Sequence, residues 1–447
     1  MSRLTTGQAR ELAVRAVSLT DADQAEALVL SHDESLTRFA ENRIHQNVTE
    51  TDTRVSVRAV IGTKQGVAST NRIDDDSLAR CCTAAVAAAS AGQEDPDFPG
   101  LPVPAPVDAP LRGAPDAEAF GPAERARAAG AIVSQCSSRL IHAAGTIASG
   151  ISTVAIGNSL GVDVGAQTTS VRATVLARTD RGGSGWASFY GPDPSALAAD
   201  ALGDEAATLA QRSEYPADLD PGVYTVVLAP EAVADIVDFM GYLGFSARAV
   251  AEGRSFMSER IGERIVSELV SISDDALAPE TFGLAFDFEG MPKRRVPLIE
   301  NGVATGTVTD SYWAAKTGAP NTGHALPAPN PHGPLTLDLQ VAAGNATIDE
   351  LIGSVERGVY VTRFHYVNVE DPVPVTLTGM TRDGTFLIED GALAAPLKNL
   401  RFTQSALSAL SSVRGVTRNR SFYDVMLGSV LAPGLLLDEW AFTGQTT

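Results

Sequence analysis

The segment LIENGVATG, at 298–306, carries an apolar run into Asn-Gly and turns straight back, and LIEDGALAA, at 387–395, repeats the arrangement with Asp-Gly. A type I′ turn needs positive φ at both central residues, which Asn-Gly and Asp-Gly supply at low cost, so both segments are read as β-hairpins. The spacing leaves open whether the echo is a duplication or two independent hairpins. Upstream, YTVVLAP at 224–230 reads as a strand, and the chain after the next helix is β-rich to its end.

That helix opens the stretch ADIVDFMGYLGFSARAVAEGRSFMSERIGERI, 234–265, which reads as a long helix, a Gly-containing loop and a second helix. Val233, Ile236, Val237, Met240 and Gly244 fall on one apolar face, with Asp235 and Asp238 toward another. Gly241, Gly244, Ser246, Ala247 and Ala249 are small enough for another backbone to approach. The inward positions hold nothing suited to acid–base chemistry.

Toward the N-terminus, MSRLTTGQARELAVRAVSL interrupts its apolar residues with Glu11 and Arg15, so it reads as an amphipathic helix rather than a signal peptide. AEALVLSHDE, LTRFAENRIHQNVTE, TRVSVRAVIG and KQGVASTN then form an antiparallel meander. DDDSLARCCTAAVAAASAG is a helix whose leading acidic run suits the positive end of the helix dipole. Residues 95–115, with seven prolines, are expected to cross the surface without helix or interior strand. A helix at about 122–140 leads into long β stretches over 145–191 that share a sheet with the meander, and another helix follows near 194–212.

Fifty-four acidic against 34 basic residues give a net charge of −20, which repels a polyanion, so nucleic acid is not an expected partner. No apolar run is long and unbroken enough to span a bilayer, and the expectation is a soluble cytoplasmic protein without a membrane partner. Cys81, Cys82 and Cys136 have no CxxC spacing and read as buried helical residues, not a disulfide or zinc framework.

Candidate chemistry is sparse. GNSLG, 157–161, matches the nucleophile-elbow pattern around Ser159, but strand-like sequence follows where a helix is required, so a hairpin turn is expected. GTKQG lacks the ending of a phosphate loop. His324 and His332 lie in the Pro-rich loop TGHALPAPNPHGP and His365 in the strand TRFHYVNVED, with no helical His pair or clustered carboxylate to complete a metal site.

Four segments, TRFAENRIHQNVTE, GRSFMSERIGERIVSELVSISDDA, FDFEGMPKRRVPLIENGVATGTVTDSYWAAKTG and GTFLIEDGALAAPLKNLRFT, resemble the TldD/PmbA family, most closely its PmbA (TldE) branch, in order and over about residues 5–440. The resemblance implies an α+β fold with an N-terminal α/β part (1–220), built of an antiparallel sheet and helices, and a C-terminal β-rich, barrel-like part (221–447). It implies a partner as well: TldD-like subunits hold zinc with an HExxxH helix and a C-terminal cysteine, whereas PmbA-like subunits lack these and pair with TldD around a proteolytic chamber. Aligning Gly253 with the family glycine puts the six HExxxH positions on DFMGYL, so Asp238, Phe239 and Leu243 stand where His, Glu and His would be. Phe and Leu cannot ligate a metal, and no cysteine follows Cys136.

The expected function is therefore the non-catalytic subunit of a heterodimeric zinc metallopeptidase, acting on unfolded or modified peptides or on a peptide-like natural-product intermediate. No catalytic, cofactor-binding or metal-binding residue is assigned to this chain, and zinc is expected in the partner. Two alternatives remain: a stand-alone homodimeric binding or scaffold protein, in line with the family's label "modulator of DNA gyrase", and an enzyme with a relocated site on His324, His332 or His365.

Overall fold

In the computed structural model, residues 2–107 and 119–445 are described; positions 108–115 of the Pro-rich crossing lie outside them, and 95–107 contain neither helix nor strand. The chain opens with α1 (Thr6–Ser18), whose Thr5 and Gln8 form a reciprocal capping box. β1 (Gln24–Ala40), β2 (Arg43–Ile61) and β3 (Lys64–Thr70) follow as the meander. The sequence runs read as separate pieces merge: β1 continues through LTRFA and reverses at Glu41 and Asn42, both at positive φ.

Next come α2 (Asp75–Ala91), N-capped by Asp74, then α3 (Pro122–Ser137), β4 (His142–Asn158), β5 (Asp163–Arg178), β6 (Ser184–Gly191) and α4 (Ala199–Arg212). Six strands make one sheet in the order β3-β2-β1-β4-β5-β6, so the later strands share the meander's sheet as expected, with β1 and β4 as antiparallel neighbours. GNSLG is the β4–β5 turn, and Ser159 spends its Oγ accepting the Ala25 N–H at 3.0 Å. One face of this sheet carries α1 and α2 over Ala27, Val29, Val55 and Ala155, and α3 and α4 over Phe39, Ile147 and Val175. Cys81, Cys82 and Cys136 are buried in these layers. The other face, through Leu28, Val154 and Ile156, packs on Phe286 from the second half of the chain.

That half begins with β7 (Gly222–Leu228), α5 (Pro230–Gly244) and α6 (Ala247–Ala251), followed by β8 (Ile272–Asp274), β9 (Val296–Glu300), β10 (Val303–Ala304), α7 (Ser311–Thr317), β11 (Asp338–Val341) and α8 (Ile348–Gly353). β12 (Arg357–Asp371), β13 (Thr376–Glu389), β14 (Ala392–Pro396), β15 (Leu400–Ser405), α9 (Ala406–Ser411), β16 (Val413–Val425) and β17 (Gly428–Gln445) complete it. The strands β17-β15-β13-β12-β7 pair in sequence and β7 pairs back onto β17, so the sheet closes on itself as a ring. A barrel-like second half is thus observed. Phe364, Phe402 and Trp440 stack in its core, with Phe364 and Trp440 nearly parallel at 5.1 Å. Both predicted hairpins form: Asn301 and Gly302 have φ of 48° and 80°, Asp390 and Gly391 of 49° and 75°.

An expected helix fails to form. The second helix of 234–265 is only α6, and the chain from Gly253 to Ile265 is a series of turns. Gly253, Glu259 and Gly262 sit at positive φ, incompatible with a right-handed helix. Backbone donors there go to the β9–β10 hairpin instead, Gly262 N to Ala304 O and Ile265 N to Gly302 O, both at 2.8 Å. Long-range hydrogen bonding has overridden a helical pattern.

Candidate functional site

Helix α5 starts with Pro230 at its first turn, where a missing N–H costs nothing, and lays its apolar face on β17, β12 and β16. Burying Val233, Ile236, Val237 and Met240 is worth about 1.5–3 kcal/mol apiece. The small residues near its end serve a purpose different from the one expected. A Cβ on Gly241 would lie 2.5 Å from Thr336 Oγ1, and one on Gly244 2.0 Å from the Phe256 ring, so side chains rather than another backbone fill the space.

Asp238 turns its carboxylate to the β16–β17 turn and accepts the Met426 N–H at 3.2 Å; burial pushes it up to about 6, against the pull of the Met426 and Leu427 amides. Phe239 and Leu243 are half-buried against the main core. Among the described residues no three His, Cys, Asp or Glu side chains gather in a way that could hold a metal. Asp238, Phe239 and Leu243, the positions that the sequence alignment sets against HExxxH, offer one acid held by a backbone amide and two hydrocarbon side chains, a donor set that does not fit zinc.

A cleft of about 450 Å³ opens at the C-terminal end of α5, between Tyr242 and Leu243 on one side and Pro331, His332 and Val373 on the other. Tyr242 and Val373 are exposed, and the Tyr242 ring lies 6.3 Å from that of His332. Arg248 of α6 bonds back to the Pro331 carbonyl, tying the Pro-rich loop to the helix.

The three candidate histidines are not brought together. His332 is exposed at the cleft, and His365 is half-buried on β12, where burial and then Arg382 and Arg363 lower its pKa. His324 is fully buried, with Nε2 2.9 Å from Asp274 Oδ1 and Nδ1 2.9 Å from Thr322 Oγ1. Asp274 also accepts the Leu337 and Asp338 amides at 2.9 and 3.0 Å, and Asp338 binds Lys293 Nζ at 2.6 Å. Burial alone would raise Asp274, yet His324 and Lys293 outweigh it and hold the carboxylate well below its usual range. Nearby Asp287, which accepts three backbone amides, is pushed up to about 7 by burial and by Glu289. This network underlies a cavity of about 260 Å³ between the two halves of the chain.

Sequence inspection set Asp235 and Asp238 on a second face of α5 but passed over Glu231 and the array the three acids form. Glu231, Asp235 and Asp238 recur along α5 at helical spacing, a signal visible as acids on an otherwise apolar helix. Glu231 accepts from Trp186 Nε1 at 2.9 Å and Ser188 Oγ at 3.1 Å, both on β6, so it fastens the two halves together. Arg363 of β12 lies 3.8 Å from Glu231, bonds Asp383 at 3.2 Å and stacks over the Trp186 ring at 4.0 Å. Burial, then the Glu231 charge, pushes Asp235 up to about 8.

In the first sheet, β3 pairs β2 only over 55–61, so β2 residues 43–54 present an edge free of any described strand, with Ile44 and Val48 exposed. No described helix is long and apolar enough to cross a membrane.

Comparison with known families matches residues 25–89 to PmbA/TldA metallopeptidase domain 1, residues 110–214 to the central domain and residues 221–444 to the C-terminal domain. A metalloprotease of Methanothermobacter thermautotrophicus is 28% identical over 217 residues, 48% of this chain and 46% of that protein. A zinc metalloprotease TldD homolog of Saccharolobus solfataricus is 26% identical over 203 residues, 44% of each. The chain thus spans less than half the length of these curated relatives. Among solved structures, TldE from Thermococcus kodakarensis superposes with a TM-score of 0.87 at 18% identity, covering 97% of this chain and 99% of that one. A putative modulator of DNA gyrase from Thermotoga maritima gives 0.85 at 19% identity with the same coverage. At these identities the two structures establish the shared fold.

Proposed function

The chain belongs to the PmbA/TldA metallopeptidase family, and from that membership we propose that it is the non-catalytic, TldE-like half of a heterodimeric zinc metallopeptidase. A TldD-like partner supplies the zinc and the catalytic groups, and the pair works in the cytoplasm on unfolded or modified peptides, or on a peptide-like intermediate. The observation that carries this is α5: at the zinc-helix register it presents Asp238 to a backbone amide and Phe239 and Leu243 to the core. A helix so arranged retains the architecture of a metal site without its chemistry.

What this chain contributes is surface. The cleft at the end of α5 is walled by apolar and aromatic side chains with few charges, suited to an extended peptide of varied sequence. The open edge of β2 offers main-chain hydrogen bonds of the kind that hold a peptide as an added strand.

Co-expression with a TldD-like protein from the same genome, followed by size-exclusion chromatography, zinc analysis and a casein or short-peptide cleavage assay, tests this. A one-to-one complex containing zinc, active only with both chains, is the expected outcome. Zinc and peptidase activity in this chain alone, or no association at all, would overturn it.

A further inference from the structure

Across the Pro-rich loop from the α5 cleft lies a second cavity, of about 580 Å³, bounded by β2 and β3 on one side and by α7, the loop after it and the 95–100 segment on the others. Each cation on its wall already has a carboxylate. Arg58 donates from Nη2 to Glu26 at 2.8 Å and to Glu289 at 3.2 Å, Arg248 meets Glu252 at 3.0 Å, and Lys316 meets Asp97 at 2.6 Å. The wall's carboxylates are not all matched in return. Asp310 is 6% exposed; its Oδ1 accepts the Trp313 N–H at 2.7 Å, and no described cation lies within ion-pair distance of it. Asp95, at the mouth, accepts the Tyr312 hydroxyl at 3.3 Å and the Asp97 N–H at 3.1 Å, both on Oδ1, and meets no cation among the described residues.

A buried carboxylate with no ion-pair partner in contact is costly unless something cationic arrives or it takes up a proton. Burial, reinforced by Glu289 and only partly offset by the Trp313 amide and the more distant Arg58, pushes Asp310 up to about 6. The remaining wall is aromatic, and its affinity for a cation is visible in the molecule itself: the Lys316 ammonium sits 5.5 Å from the Tyr312 ring centroid and 5.3 Å from that of Trp313.

We propose that this cavity binds a primary ammonium group of a peptide, with Asp310 and Asp95 as its counter-charges and the Tyr312 and Trp313 rings as its wall. Either a free peptide N-terminus or a lysine side chain carries that chemistry, and the cavity is large enough to admit the residue bearing it. Lys316, tethered to Asp97, occupies part of the same wall and acts as a built-in competitor. The site is complete within one chain, so it stands or falls independently of the pairing proposed above.

The test is calorimetric titration of the purified full chain with three probes: tetra-alanine amide, its N-acetylated form, and an N-acetylated tetrapeptide amide with one lysine among alanines. One or both ammonium-bearing peptides should bind at least about tenfold tighter than the acetylated all-alanine peptide, the weight of one charge-assisted contact. Preference for the first marks an N-terminus as the natural group, and preference for the third a lysine. Asp310→Asn, which keeps the helix-capping oxygen, should erase the preference, while Lys316→Gln, at an exposed position, should strengthen it several-fold. Equal or absent binding of all three probes, or a preference that survives Asp310→Asn with the variant shown folded by circular dichroism, would overturn the assignment.

Discussion

Replacing Asp235 by Asn should flatten the pH dependence of stability. Asp235 faces Glu231 and Asp238 on its own helix and Arg363 and the Phe364 amide on β12. Burial dominates, and its carboxyl rises from an ordinary 3.8 to about 8. The folded state therefore binds a proton that the unfolded chain has already lost above about pH 4. Stability from this group is complete below the unfolded value and drains away as pH rises toward 8, levelling off above it. Between about pH 5 and pH 7 the full effect of one proton is roughly 1.4 kcal/mol per pH unit, or about 3 kcal/mol in all. Asp235 retains partial solvent access, so about 1–3 kcal/mol is the working expectation. Asn keeps the shape and cannot ionise. Urea unfolding at a series of pH values, read as the difference between native and Asp235→Asn proteins, isolates the contribution. The variant should gain on the native protein as pH rises over that window. Parallel curves would refute the burial argument and mean that water or Arg363 keeps the carboxylate ionised.

Gly244→Ala would place a methyl 2.0 Å from the Phe256 ring, and overpacking should outweigh the gain in helix propensity, costing about 1–3 kcal/mol by denaturant midpoint. Lys293→Met strands Asp338 beside Asp274 in the interior and should cost about 3–5 kcal/mol; adding Asp338→Asn should restore roughly half or more of it. Trp186→Phe removes the N–H that reaches Glu231 and weakens the platform under Arg363, for a loss of about 1–3 kcal/mol in urea unfolding.

What could be read from the sequence was what short-range chemistry encodes. Asn301-Gly302 and Asp390-Gly391 specify their turns almost alone, because few other residue pairs tolerate two successive positive φ values. The apolar face of α5 was visible in its periodicity, and the failure of GNSLG as an elbow in the strand-like residues after it. The misread segment, Gly253 to Ile265, has helical periodicity, but its amides are claimed by a hairpin some forty residues away. Local pattern cannot reveal such a competitor. The Asp274–His324 and Lys293–Asp338 contacts join residues 50 and 45 positions apart, and only the folded sheet makes them neighbours. That Asp310 meets no cation in contact is likewise a property of the cavity and not of the residue.

The ring of strands in the second half also sets a timetable for folding. β7 is held between β12 and β17, and those partners are made about 130 and 200 residues later. The first sheet has all its strands by Gly191 and can form while the chain is still on the ribosome. β7 and the apolar face of α5 must then wait, on the order of ten seconds or more at ordinary elongation rates, until β17 is made and the ring can close. Contacts so distant in sequence are slow to form, and the apolar stripe of α5 stays uncovered meanwhile. During synthesis, then, α5 is a long-exposed apolar segment, and its cover arrives only with the last strand of the ring.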